Sequence, residues 1–117
     1  MANTFKVVTK ASVATDSGTP TSLYTVPSST TSIVLALLIA NKHTQSVKVT
    51  VVISSDTTNS GASANADVNV IKDISIEEET SLELMAGQKY VLQTTDILKV
   101  YADNANLDVT LSFMEIT

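Results

Sequence analysis

The side chains able to do chemistry are few in this chain and form no familiar catalytic arrangement. His43 is the sole histidine, so no second imidazole exists to share a zinc ion with it or to build a serine-histidine-aspartate triad. No cysteine is present, which excludes disulfides, thiol nucleophiles and cysteine-ligated zinc. Gly87 is isolated and makes no phosphate-binding glycine loop. We therefore expect no enzymatic activity, no metal and no cofactor, and we expect His43 to be a solvated loop residue.

Two groups of oxygen-bearing side chains are candidates for binding a cation. Residues 77–79 are three consecutive glutamates, but neighbouring side chains diverge and the calcium-loop pattern with its glycine is missing. The second group has the composition of an ordinary turn and comprises Asp103, Asn104, Asn106 and Asp108. We expect a solvated turn at both places, with a calcium site as the alternative.

Composition narrows the class of partner. The chain has 117 residues, which predicts a single domain over residues 1–117, and 44% of them are hydrophobic. Aromatic residues make up only 4% and tryptophan is absent, which counts against sites that stack sugars or bases. The net charge is -5, with seven lysines and no arginine, and this disfavours binding to nucleic acid.

The chain also lacks the sequence features of membrane proteins. Its first residues, MANTFK, contain no charged segment followed by an apolar one, so we expect no signal peptide and no membrane anchor. The longest apolar run, residues 33–40, is far shorter than the roughly 20 residues that a membrane-spanning helix needs. We expect a soluble protein made in a cytoplasm.

The stretch that must organise the fold is residues 31–53, which we interpret as a central β-hairpin with its turn at residues 41–46. The first strand is apolar on both faces, so we expect the opposing sheet to cover one face and a neighbouring subunit or loop to cover the other. In the second strand apolar and polar residues alternate, which predicts four side chains inward and two outward. The inward set is Val47, Val49, Val51 and Ile53, and the outward pair is Lys48 and Thr50.

Two polar segments flank these strands. Residues 1–20 are predicted to form an N-terminal arm that contains one short strand with Phe5 and Val7 on the same face. Such an arm can complete its own sheet or a neighbour's.

A second short strand is predicted at residues 22–26, with Tyr24 and Val26 on one face. Residues 54–66 hold no bulky side chain, so we expect a flexible polar loop, with a binding loop as the alternative.

The second half of the chain continues as short strands separated by turns. A bulge or break is expected near Lys72 and Asp73, because Lys72 interrupts an otherwise apolar set of alternating side chains. Turns are expected at residues 77–81, 85–88, 94–96 and 103–106. The closing strand, residues 107–116, should point Leu107, Val109, Leu111 and Phe113 inward. Eight to ten short strands without a helical pattern predict an all-β protein, an antiparallel β-sandwich of jelly-roll or Greek-key type.

Seven segments form a recognisable order of strands and turns: 24–27 (YTVP), 31–41 (TSIVLALLIAN), 47–51 (VKVTV), 81–84 (SLEL), 87–92 (GQKYVL), 96–102 (DILKVYA) and 107–115 (LDVTLSFME). This order resembles the small β-sandwich virion proteins of tailed bacteriophages, in particular those of marine and cyanobacterial phages. The resemblance covers residues 23–117, and residues 54–66 look like an insertion relative to it.

This resemblance implies a non-enzymatic structural protein of the virion, made in the host cytoplasm. Proteins of this kind serve as capsid decoration or cement proteins, or as neck and tail components, and act as symmetric oligomers. The implied partners are other copies of the chain and the major capsid protein or a neck or tail protein. We expect contacts through the arm at residues 2–10, with Phe5 and Val7, and through the face that bears Ile97, Lys99 and Tyr101.

A binding module is the alternative from a different class. In that interpretation the loop at residues 54–66 and the turn at residues 41–46 form a polar site for a receptor or glycan at one end of the sandwich. Tyr24, Tyr90 and Tyr101 would then be the stacking side chains.

Overall fold

The computed structural model describes residues 2–84 and 89–117, and the regular structure in these residues is entirely β. The predicted turn at residues 85–88 lies outside the described residues. The nine described strands are β1 (Asn3–Lys10), β2 (Thr21–Thr25), β3 (Thr31–Asn41), β4 (Val47–Ser54), β5 (Val68–Ile76), β6 (Ser81–Glu83), β7 (Tyr90–Leu92), β8 (Ile97–Ala102) and β9 (Leu107–Ile116).

The strands form two antiparallel sheets that pack face to face. Sheet A has the order β1, β9, β3, β6, with β7 also paired to β3, and sheet B has the order β2, β8, β4, β5. The first four strands alternate between the sheets along the chain, which is the jelly-roll arrangement. The predicted fold class, an all-β antiparallel sandwich, is confirmed.

The predicted hairpin at residues 31–53 is wrong, because its two strands lie in different sheets. β3 pairs with β9 from Thr31 to Asn41, whereas β4 pairs with β8 and β5. The residues between them therefore carry the chain from one sheet to the other. Two apolar strands around a polar turn have the same local sequence pattern whether they form a hairpin or lie in two different sheets. Here the pairing of β3 with the distant β9 places β3 in the sheet opposite β4.

The hydrophobic core lies between the sheets and follows the predicted alternation closely. The four predicted inward residues of β9 are all buried, and so are Val47, Val49 and Val51 of β4, while Ile53 is half-buried. β3 buries only one of its faces in this core. Its other face, with Ile33 and Leu35 half-buried and Leu38 exposed, forms part of the outer surface of sheet A.

The predicted bulge near Lys72 is confirmed, and it explains one wrong prediction. The register between β4 and β5 passes from Val49 opposite Ile74 to Val51 opposite Ile71, so Lys72 and Asp73 together lie opposite Thr50 and β5 has one extra residue. Asp73 has a positive φ of 52°, and its N–H donates to Thr50 Oγ1 at 3.0 Å. The bulge therefore covers Thr50, which is buried although it was predicted to face water.

The N-terminal arm completes the sheet of its own chain. β1 pairs with β9 in an unbroken antiparallel register from Asn3 opposite Ile116 to Lys10 opposite Val109. Val13 is buried and its N–H donates to the carbonyl of Ala105, so the arm is fixed where it leaves β1. Ala14 then forms a bridge with Tyr101 on β8, just beyond the end of the pairing between β2 and β8.

Candidate assembly surface

A row of apolar side chains crosses the outer face of sheet A from one edge to the other. Phe5 on β1 lies opposite Met114 on β9, Met114 lies opposite Ile33 on β3, and Ile33 lies opposite Val91 on β7. Directly opposed residues in a sheet point to the same face, so these four side chains form one continuous line, here called the apolar row. Phe5 at one end is 72% exposed and Val91 at the other is 62% exposed.

The outward-facing strand positions next to the apolar row carry no charge, and Lys89 lies just before β7. Next to it lie Val7, which is 61% exposed, and Ile116, which is half-buried. Of the described outward-facing strand positions in sheet A, charged side chains occupy Asp108 and Glu83, both towards the opposite end of the face. Four of the six exposed large hydrophobic side chains in the described residues lie on this face: Phe5, Val7, Leu38 and Val91. Contiguous exposed apolar surface of this kind marks interaction sites.

The outer face of sheet B has a different character. Ile97, Lys99 and Tyr101 share the outer side of β8 and are half-buried, so the structure brings these three predicted contact residues together on one face. Their neighbours are mixed: Lys99 lies opposite Ser22 on one side and Val52 on the other, and Tyr101 lies opposite Thr50. Phe5 and Val7 lie on the other sheet. The predicted contact residues therefore form two separate surfaces, and their role as contacts remains a prediction.

A polar network on the inner side of sheet A connects β1 to β9 and to sheet B. Glu115 on β9 is only 6% exposed, and its Oε1 lies 2.7 Å from Nζ of Lys6 on β1. Its other oxygen accepts a hydrogen bond of 2.6 Å from the Tyr24 hydroxyl on β2. Because that hydroxyl has one proton, the Ser32 hydroxyl must donate to Tyr24 in turn. The network thus links the edge strand of sheet A to the opposite sheet.

Burial and charge shift the pKa values within this network. The hydrogen bond from Lys6, followed by the one from Tyr24, lowers the pKa of Glu115 and keeps it ionised. Burial, followed by the hydrogen bond to Glu115, raises the pKa of Tyr24 to about 12. The ring of Tyr24 also packs on Phe113, with 4.1 Å between the ring centres. Tyr24 is therefore half-buried against the core, and its ring packs on Phe113 instead of offering the accessible stacking face that was predicted.

The other polar side chains that were considered as binding sites do not lie together in a shared site. Within residues 2–84 and 89–117, no three histidine or acidic side chains lie close enough to hold a metal ion. Glu77, Glu78 and Glu79 form an exposed turn, as predicted. Asp108 pairs with Lys42 at 2.8 Å, and His43 is half-buried with its ring 3.4 Å from the Asn104 amide. In the same described part of the chain, no helix is long and apolar enough to cross a membrane.

The two loops of the predicted glycan site lie apart. The segment at residues 41–46 precedes β4 and the loop at residues 54–66 follows it, so the length of β4 separates them and they occupy opposite ends of the sandwich. The loop at residues 54–66 contacts the turn at residues 93–96 instead. There Ser55 donates to Asp96 at 2.6 Å, and Gln93 donates to Asn59 at 2.8 Å. The predicted composite site is therefore wrong, while the flexibility of this loop remains a prediction.

Comparisons with known proteins reveal similarity in fold. No protein-family model matches the chain, and no curated protein matches it. A similar solved structure is a chain from Bacillus endospore appendages, a family of disulfide-linked pili, with 12% identity, a TM-score of 0.50, and coverage of 99% of this chain and 87% of that one. Another is a chain of the icosahedral IBDV viral particle, with 11% identity and a TM-score of 0.50. The match covers 97% of this chain but only 34% of the viral one. At these identities the likeness shows a shared fold.

The polar network and most of the apolar row were absent from the sequence-based predictions, although β9 contains a signal for both. The alternation that places Leu111 and Phe113 inward also places Glu115 inward and Met114 outward. A carboxylate at an inward position predicts a buried partner. The identities of Lys6, Tyr24 and Ile33 as neighbours depend on strand pairings between distant parts of the chain, which the sequence pattern does not specify.

Proposed function

We propose that this chain is a non-enzymatic structural subunit of a tailed-phage virion, specifically a capsid decoration or cement protein. It binds the major capsid protein, as one of several identical copies, and stabilises the particle by adhesion. The uncharged apolar row on the outer face of sheet A is the observation that carries this proposal. The jelly-roll fold shared with a chain of a viral particle and with a pilus chain supports it.

The adhesion proposed here is non-covalent. The chain has no cysteine, so it has no access to the disulfide linkage of the endospore pili. Fully burying a side chain of the size of Phe, Ile, Met or Val contributes about 1.5 to 3 kcal/mol. Burying the exposed ends of the apolar row against a capsid surface would therefore offset part of the entropic cost of association.

A neck or tail component is the alternative position in the particle. The two positions differ in copy number, because decoration proteins follow the capsid lattice and a neck or tail ring contains few copies. Quantitative mass spectrometry of purified particles measures the ratio of this chain to the major capsid protein. A ratio near that of the lattice supports decoration, a few copies per particle supports a neck or tail ring, and absence from particles contradicts both.

Two variants that add the same charge test which face binds. Val91→Lys places a lysine at the exposed end of the apolar row, whereas Thr25→Lys places one on the exposed edge of sheet B, opposite Ile97. We expect Val91→Lys to lower the number of copies per particle by at least about tenfold, because binding would bury an unpaired lysine, which is strongly unfavourable. We expect Thr25→Lys to leave the number of copies unchanged, because its lysine stays in water. The reverse result would move the interface to the face of Ile97, Lys99 and Tyr101.

A further inference from the structure

β1 is the one long, regular and open sheet edge among the described strands. The other edges are interrupted: β2 has a register shift between Ser22 and Tyr24, β5 has two register shifts against β4, and β6 and β7 contain three residues each. β1 has eight residues in continuous register with β9, and seven of them are exposed. Proteins usually protect such edges with bulges, prolines, short strands or charged side chains such as lysine, because an open edge is a template for another strand. Of the two lysines on β1, Lys6 is paired with Glu115 and Lys10 is the last residue of the strand.

The direction of the backbone groups on β1 follows from its first hydrogen bonds. The N–H of Ala2 donates to the carbonyl of Thr117 at 3.3 Å, and the N–H of Thr117 donates to the carbonyl of Ala2 at 3.0 Å. In an antiparallel ladder such pairs recur at every second residue. The backbone groups of Thr4, Lys6, Val8 and Lys10 therefore point to β9, and those of Asn3, Phe5, Val7 and Thr9 point away from the sheet.

We propose that a second copy of this chain pairs with β1 in antiparallel orientation, about a two-fold axis that passes beside Lys6. This register places Asn3 opposite Thr9 of the second copy and Phe5 opposite Val7 of the second copy. It uses all four outward-pointing residues of each strand, and gives about eight hydrogen bonds between the copies. A register shifted by one residue in either copy leaves outward-pointing groups without a matching residue on β1.

The Lys6 side chains of the two copies lie next to each other at the axis of this dimer. Like charges directly opposite each other are unfavourable in a sheet. Each Lys6, however, is already paired with Glu115 of its own chain at 2.7 Å, so the central group of four side chains has no net charge. The Lys6 side chain is also half exposed and keeps access to water.

A second copy beside β1 also enlarges the outer face, which by itself is smaller than a standard interface. Four strand positions about 4.8 Å apart and about ten residues of about 3.3 Å give a face of roughly 600 Å². A standard protein interface needs about 800 Å² from each partner. Because the two-fold axis is perpendicular to the sheet, both apolar rows of the dimer face the same side and double the surface. The inference deepens the proposed function and rests on it only for the use of this doubled surface on a particle.

Disulfide crosslinking tests this pairing in a chain that has no cysteine of its own. Lys6→Cys places two thiols at a closely spaced antiparallel position, where the Cα atoms are about 4.5 Å apart and a disulfide can form. Lys10→Cys is the matched control, because residue 10 lies four residues from the axis and its copy is about 26 Å away. We expect mild oxidation to convert most of Lys6→Cys, and little of Lys10→Cys, to a covalent dimer on a non-reducing gel. Because Lys6→Cys also removes the ion-pair partner of Glu115, its circular dichroism spectrum is compared with that of the unaltered chain. Failure of the folded variant to crosslink, or equal crosslinking of the two variants, would overturn the pairing.

Sedimentation velocity of the unaltered chain and of Val7→Pro provides the second measurement. Proline removes an N–H that points away from β9, so the fold keeps its own ladder while the dimer loses a hydrogen bond and its regular edge. We expect a concentration-dependent dimer for the unaltered chain and at least about tenfold weaker dimerisation for Val7→Pro, with the β-sheet circular dichroism signal retained. An unaltered chain that stays monomeric at all concentrations contradicts the inference. If crosslinking fails while Val91→Lys still lowers particle binding, the pairing is wrong and the proposed function stands.

Discussion

Tyr24 on β2 donates a hydrogen bond to Glu115 on β9 at 2.6 Å, and the two residues are 91 positions apart in the chain. This contact joins sheet B to sheet A, and Glu115 passes the connection on to Lys6 at the edge. The strand that we propose to pair with a second copy is therefore tied to the core by a charged group rather than by apolar packing alone. The same carboxylate thus contacts both the opposite sheet and the edge strand, which is also held by its backbone pairing with β9.

Removing the Tyr24 hydroxyl should destabilise the protein. Tyr24→Phe keeps the ring packed on Phe113 but leaves Glu115 Oε2 and the Ser32 hydroxyl without this partner in a buried site. We expect the free energy of unfolding, measured by urea denaturation, to fall by about 1 to 3 kcal/mol. Tyr90→Phe, at a half-buried position on β7, is the control and should change it by less than about 0.5 kcal/mol. Equal effects of the two variants would show that the network adds nothing to stability.

The ionised state of Glu115 predicts a loss of stability in acid. Its pKa in the folded protein lies below the ordinary value of 4.5, so the unfolded chain binds the proton more readily than the folded chain does. The contribution of Glu115 is therefore fully present above pH 4.5 and is lost as the pH falls through the lower folded pKa. Over this window it changes by at most about 1.4 kcal/mol per pH unit.

The difference between the unaltered chain and Glu115→Gln isolates this effect from the other carboxylates. We expect the unfolding free energies of the two proteins to converge as the pH decreases from 5 to 2, because glutamine does not titrate. Thermal or urea unfolding at several pH values measures this directly. Parallel curves across the window would mean that Glu115 has the same proton affinity in the folded and unfolded chains.

The sequence predicted those elements whose pattern is local and repeated. β9 was predicted with its correct bounds and inward residues because ten residues alternate without interruption, and the bulge at Lys72 was predicted because a lysine broke an apolar alternation. Tyr24 was placed correctly in a strand. Its contacts with Glu115 and Phe113 were not predicted, because the register shift between Ser22 and Tyr24 has no signal in the sequence pattern. The sheet change between β3 and β4, and the apolar row itself, depend on pairings between distant strands, which no local pattern contains.

The hydroxyl of Thr50 should be required at the bulge of β5. It accepts a hydrogen bond from the N–H of Asp73, whose positive φ leaves that group without a place in the regular ladder. Thr50→Val keeps the shape of the side chain but leaves the N–H of the exposed Asp73 without this partly buried acceptor, so we expect a loss of about 0.5 to 1.5 kcal/mol in the free energy of unfolding. Thr50→Ser retains the acceptor and should cost less. If both variants lose the same amount, the methyl group rather than the hydroxyl supports the bulge.

The buried side chain of Asn41 should be a strict requirement where the chain crosses from sheet A to sheet B. The two protons of its amide nitrogen are shared among three carbonyls, those of Gln45 at 3.0 Å, Ile76 at 2.9 Å and Glu77 at 3.2 Å, while its amide oxygen accepts from the N–H of His43 at 2.8 Å. Asn41 thus closes the crossover at residues 42–46 and fixes it to the end of β5. No strand pairing replaces these contacts, because β3 and β4 belong to different sheets.

Asn41→Asp is the sharpest change at this position because it preserves size and replaces only the donor. A carboxylate would face three carbonyl oxygens in a buried site, so we expect it to lose at least about 3 kcal/mol of unfolding free energy at neutral pH. Asn41→Ala, which removes donor and acceptor together, should lose less, about 1 to 3 kcal/mol. Protonation of the new aspartate would restore a donor, so the defect of Asn41→Asp relative to Asn41→Ala should shrink as the pH is lowered towards 4. A defect that is independent of pH would show that the three carbonyls do not rely on the amide of Asn41 as their donor.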